Sequence, residues 1–111
     1  MQSHVLVTTG NEFEGYGISE YLGIVRCIVV RAKTISQGIR GSLAQILGGN
    51  IQAYEEVCEH ARAEAYARMV QHAEEEGADA VIAMRYDATE FGQGVTEVLA
   101  YGTAVKLVRQ M

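Results

Sequence analysis

One run of residues constrains the architecture of this chain more than any other: Ile24-Val25-Arg26-Cys27-Ile28-Val29-Val30. β-branched residues dominate the run, so it predicts a strand, which we extend over residues 19–32. A strand with one buried face alternates apolar and polar residues, whereas here adjacent positions are both apolar. The run therefore predicts a strand that is buried on both of its faces.

The residues on either side of this strand predict smaller elements. Val5-Leu6-Val7-Thr8-Thr9 is typical of a short N-terminal strand, and residues 12–17 form a polar connection. A weaker helical segment is predicted over residues 35–47. Gly48-Gly49 ends it, since glycine adopts the left-handed conformation of a helix C-terminus without strain.

The longest predicted element is a helix over residues 52–76, which Asn50 can cap. Its apolar stripe repeats at spacings of three and four: Tyr54, Cys58, Ala61, Ala65, Met69 and Ala73. The opposite face is charged: Glu55, Glu56, Glu59, Arg62, Arg68 and Glu75. Because alanine lets the backbone approach its neighbour closely, we expect this helix to lie on a sheet.

Two further strands are predicted after the helix, over Ala80–Tyr86 and 95–108, joined by a glycine-containing hairpin loop at 90–94. Residues 1–111 are thus expected to form a single α+β domain, a mainly antiparallel sheet packed on one long helix. One helix covers only one face of a sheet. Burial of the second face of residues 24–30 predicts another subunit, unless the weaker helix folds over it.

Composition narrows the choice of partners. The chain has 14 acidic and 9 basic residues among 111, a formal charge of −5. This charge argues against binding to nucleic acid or to an anionic membrane surface. The N-terminus lacks the basic region of a signal peptide, so we expect a cytoplasmic protein.

Five side chains are candidate ligands for a soft metal ion: His4, Cys27, Cys58, His60 and His72. Cys58 and His60 point about 200° apart around a helix, so one ion cannot bind both. No local set of three or four ligands has the spacing of a structural zinc site. A ring of subunits gathers copies of one residue around its axis, which makes Cys58 the metal-ligand candidate. The alternative, which is the commoner one for a cysteine on an apolar helix stripe, is that Cys58 is a small core residue.

Three blocks of sequence resemble one protein family: Gly48-Gly49 through Tyr54-Glu55, Gly77-Ala78-Asp79-Ala80-Val81-Ile82 and Tyr101-Gly102-Thr103-Ala104-Val105. The chain resembles the YbjQ-like proteins, also called UPF0145 or DUF74, a family labelled heavy-metal-binding. The resemblance extends from Val7 to Lys106. It implies a β-α-β-β core like that of a dodecin subunit, with extra strands that help to build a ring-shaped pentamer. It supplies no catalytic residues.

These observations favour a soluble, non-enzymatic homo-oligomer that binds a transition or heavy metal ion, or a similar soft ligand, at a subunit interface. One alternative is a small-molecule binding or storage protein with tyrosine-lined clefts between subunits, by analogy with dodecin. Another is an enzyme whose site combines Glu and His side chains of neighbouring chains. No nucleophile motif in the sequence selects the enzyme.

Overall fold

The computed structural model describes residues 4–32, 51–92 and 95–110. They form four strands and one helix: β1 (Leu6–Val7), β2 (Tyr16–Ala32), α1 (Ile51–Glu75), β3 (Ala80–Gly92) and β4 (Val95–Arg109). The predicted helix over 35–47, the double glycine and the cap at Asn50 lie outside the described residues.

The four strands form one sheet in the order β1-β3-β4-β2. β4 lies in the centre of the long strands and is antiparallel to both β3 and β2. β1 is parallel to β3 and pairs with it over two positions, Leu6 with Ala80 and Val7 with Val81. The predicted α+β class and mainly antiparallel sheet are confirmed.

α1 packs on one face of this sheet through the predicted apolar stripe. Ala61, Ala65, Met69 and Ala73 have no solvent exposure. They pack in one core with strand residues from the facing side of the sheet: Val25, Val29, Val81, Met84, Val98, Ala100 and Ala104. The charged residues predicted for the opposite face of the helix are exposed. No described helix is long and apolar enough to span a membrane.

β3 is longer than the sequence indicates. The predicted strand ends at Tyr86, whereas β3 continues to Gly92 and pairs with β4 through Asp87–Leu99 and Glu90–Thr96. Residues 87–90 are exposed and, apart from Ala88, polar, so their composition resembles that of a loop. Pairing with β4 fixes their backbone instead, since strand preference depends on neighbours more than on residue type.

Within the described residues, the strand with apolar residues on both faces is covered on one face only. Val25 and Val29 are buried under α1, whereas Ile24, Ile28 and Val30 are 70%, 52% and 58% exposed. We call the sheet face opposite α1 the outer face. Along the described part of one chain, this stretch of the outer face has no cover, so its burial by another subunit stays a prediction.

The described residues protect one end of the outer face. Ala80, Ile82 and Val105 form a second buried cluster there, against which other apolar residues pack: Phe13, Ile18 and Leu107. β3 kinks beside this cluster, with Ala83 at φ 54° and an irregular register between Ile82 and Arg85. The exposed residues of β2 therefore begin where this cover ends.

Candidate functional site

The two cysteines lie on different elements and neither is fully buried. Cys58 is half-buried on α1, and Cys27 is half-buried on β2, where it packs against the core beneath the helix. Both thiols are free. The described residues contain no group of three or more His, Cys, Asp and Glu side chains that could hold a metal ion. The described part of one chain therefore does not complete a metal site around Cys58.

His72 is engaged in holding α1 against β2. Its Nδ1 atom lies 3.3 Å from the amide nitrogen of Arg26 and 3.4 Å from the carbonyl oxygen of the same residue. Its Nε2 atom lies 3.9 Å from a carboxylate oxygen of Glu76. The imidazole thus covers the backbone of Arg26, a structural contact that the sequence alone does not reveal.

Glu64 forms a second polar contact between α1 and β2. Its carboxylate pairs with Arg31 of β2 and with Arg68 on the next turn of α1. His60, which shares the face of Glu64 on the helix, is exposed. The polar groups between α1 and β2 are therefore committed to packing the helix on the sheet.

A shallow groove of about 300 Å³ lies on the outer face, lined by residues of three strands: Ile24, Arg26, Asp87, Leu99 and Tyr101. Leu99 and Tyr101 of β4 form its apolar floor. Arg26 on β2 and Asp87 on β3 flank it, and both are exposed. Neither side chain forms an ion pair among the described residues. The groove can accept an apolar group together with charges of either sign, or be covered by another protein chain.

A larger cleft of about 420 Å³ lies at the other end of the sheet and includes His4, Tyr16, Glu74 and Asp79 in its lining. A carboxylate oxygen of Asp79 accepts a hydrogen bond of 2.9 Å from the amide of Leu107. That acid is therefore used to fasten the end of β4. We give this cleft less weight than the groove, because it is remote from the exposed apolar residues of β2.

Two tyrosines meet where α1 passes β3. Burial raises the pKa of Tyr86, and nearby Tyr66 and Glu59 raise it further, while Arg62 acts in the opposite direction. Both phenol rings remain partly exposed. The sequence indicated tyrosine-lined clefts between subunits. Tyr101 lines a groove of a single chain, and clefts between subunits stay a prediction.

A comparison with known proteins now adds to this geometry. The family model YbjQ_1, described as "Putative heavy-metal-binding", matches residues 5–108. A UPF0145 protein of Legionella pneumophila is 60% identical over 101 residues, covering 91% of this chain and 96% of the relative. A UPF0145 protein of Chromobacterium violaceum is 56% identical over 102 residues, covering 92% of this chain and 87% of the relative.

A solved structure supports the fold. The crystal structure of a DUF74 protein from Pediococcus pentosaceus aligns with a TM-score of 0.55 at 17% identity. The alignment covers 94% of this chain and 98% of the other. At this identity the likeness concerns the fold alone. Together with the family model and the relatives, it confirms the resemblance found in the sequence: the chain belongs to the YbjQ-like, or UPF0145, family.

Proposed function

We propose that this protein is a homo-oligomer, a ring of five subunits, in which the exposed part of the outer face is covered by neighbouring copies. The observation that carries the proposal is the row Ile24, Ile28 and Val30, three large apolar side chains each more than half exposed. Ile28 and Val30 are neighbours on the outer face of β2, and Arg26 lies between Ile28 and Ile24. The half-buried Leu99 and Tyr101 of β4 lie beside this row and extend its apolar surface. Contiguous apolar surface of this kind marks interaction sites in soluble proteins.

The surface area supports the same proposal. A compact monomer of 12.1 kDa exposes about 6,000 Å². This chain exposes 7312 Å² and measures 59 × 23 × 22 Å. The subunit number five comes from the family resemblance, and native mass spectrometry of the untagged protein tests it.

The proposed ligand is a soft metal ion bound by Cys58 thiolates of several subunits. Three observations favour this arrangement. The family model carries a heavy-metal description, the Cys58 thiol is free and partly exposed, and no complete set of ligands occurs in the described part of one chain. Sharing the site among subunits resolves the last point, because a symmetric assembly multiplies each ligand.

Cadmium is a suitable probe, since thiolates prefer soft ions. We expect native mass spectrometry of the protein with Cd²⁺ to show a defined number of bound ions per oligomer, and Cys58→Ser to lose them. Cys27→Ser is the matched control and keeps them, because Cys27 packs against the core. Unchanged cadmium binding by Cys58→Ser, or no binding by the unsubstituted protein, would overturn the metal proposal.

The groove favours a second candidate, a small-molecule binding protein. Tyr101 and Leu99 offer an apolar floor, and Arg26 and Asp87 offer charges. A subunit covering the outer face would close this groove over a ligand. A defined organic mass that copurifies with the protein, and that is lost in Tyr101→Ala while assembly persists, would select this candidate over the metal. A bare oligomer in both proteins would reject it.

A further inference from the structure

The sheet has two free edges among the described residues. β2 is the last strand in the order β1-β3-β4-β2, so its far edge has no neighbouring strand. On β3, the N-terminal part of the other edge is covered by residues 6–10, up to the hydrogen bond of 3.0 Å from the Met84 amide to the Thr8 carbonyl. Beyond it, the described structure places no strand beside Arg85–Thr89. Free strand edges are templates for pairing with another chain.

The backbone groups that face these edges can be assigned. The contacts of His72 show that the amide and carbonyl of Arg26 point away from β4. In an antiparallel pair this direction repeats every second residue, so Ile28 and Val30 also face the free edge of β2. Arg26 and Arg85 lie opposite Tyr101 on either side of β4. The backbone groups of Tyr101 point away from Arg26 and therefore toward Arg85, whose own groups point back to β4. The alternate residues Tyr86 and Ala88 therefore face the free edge of β3.

The charges on the two edges are complementary. Arg26 and Asp87 are both exposed and lie on the outer face of their strands. Pairing β2 with the β2 of a second copy would bring arginines of the two strands together, which is unfavourable between neighbouring strands. Parallel pairing of β2 with the β3 of a second copy places Arg26 and Asp87 on the same face and brings them together instead. Such a contact joins different surfaces of two identical chains and generates a ring when the rotation closes.

We propose that the free edge of β2 in one subunit pairs in parallel with Arg85–Thr89 of β3 in the next, with Arg26 beside Asp87 across the junction. This inference rests on the homo-oligomer proposed above. To the covered outer face it adds the strand edges that join one subunit to the next. His72 covers the backbone of Arg26, so strand pairing involves Ile28 and Val30. The side chain of Arg26 remains available for the ion pair.

Charge reversal tests this junction. We expect Arg26→Asp and Asp87→Arg each to weaken assembly about tenfold or more, because each places like charges together. The double variant restores assembly, since the ion pair re-forms with its signs exchanged. Glu75→Arg, on the exposed face of α1, is the matched control and assembles normally. Native mass spectrometry gives the oligomer fraction, and circular dichroism verifies that each variant is folded.

The outcomes separate the two proposals. If the unsubstituted protein is monomeric at every concentration, the homo-oligomer itself is rejected. If that protein assembles but the double variant is no better than the single ones, the β2–β3 junction is rejected and the oligomer stands. Ile28→Pro gives a second readout, because it removes an amide that faces the free edge and not β4. A folded Ile28→Pro protein that assembles normally would also reject the junction.

Discussion

Gly102 of β4 lies opposite the irregular stretch of β3 between Ile82 and Arg85. A Cβ atom at this position would lie 2.5 Å from Cγ1 of Val81 and 3.1 Å from the carbonyl oxygen of Ile82. We therefore expect Gly102→Ala to lower the free energy of unfolding by about 1–3 kcal/mol, measured by urea denaturation. Gly17→Ala is the control, because its Cβ meets only the side chain of Gln110. Equal losses in the two variants would contradict this packing argument.

Tyr86 should make stability fall at high pH. Its pKa is raised in the folded protein above the ordinary value of 10.0, first of all by burial. Unfolded chains therefore lose the phenol proton at lower pH than folded ones. The stabilisation is present below about pH 10 and is lost as pH rises towards the folded pKa. Urea denaturation at about pH 9 and about pH 11 gives the free energy of unfolding at each pH. Its decline between the two should be smaller for Tyr86→Phe than for the exposed control Tyr21→Phe. Identical declines would count against the shift.

At the scale of elements, α1 depends on small side chains to approach the sheet. Ala65 has no solvent exposure, whereas Ala67 on the same helix is exposed. We expect Ala65→Leu to lower the free energy of unfolding by about 1–3 kcal/mol, because the larger side chain forces the helix away from β2 and β4. Ala67→Leu should change it by about 0.5 kcal/mol or less. Chemical denaturation of both variants checks this, and a tolerated Ala65→Leu would show a loosely packed interface.

The helix and the sheet differ in how well the sequence predicts them. The spacing of Ala61, Ala65 and Met69 predicted the buried face of α1, because helical periodicity is a local property. The end of β3 was predicted at Tyr86, where polar residues begin. The strand continues because β4 lies beside it, and the presence of that neighbour is a tertiary fact. Local pattern thus located each element, while pairing fixed its length.

At the scale of the whole molecule, the candidate site was only partly predictable. The sequence predicted that the face of β2 carrying Ile24 and Ile28 is buried, because apolar residues at consecutive positions of a strand indicate burial on both faces. The groove was not, since Arg26, Asp87 and Tyr101 are brought together by the order of three strands. No spacing rule connects residues so far apart in sequence. Cys58 stays a prediction, because its further ligands would belong to other chains.

Assembly predicts that stability depends on protein concentration. A ring that buries Ile24 and Ile28 unfolds with dissociation, so the melting temperature should rise with concentration by mass action. Ile24→Lys and Ile28→Lys place a charge on the covered surface, and their melting temperatures should be lower and independent of concentration. Val108→Lys is the control, because Val108 is 53% exposed but lies at the opposite end of β4. It should keep the concentration dependence of the unsubstituted protein. Differential scanning calorimetry over a hundredfold range of protein concentration makes the comparison. For a chain of this size we expect the melting temperature to rise by about 2 °C or more per tenfold increase in concentration. A constant melting temperature of the unsubstituted protein would mean that the apolar row of β2 is left uncovered in solution.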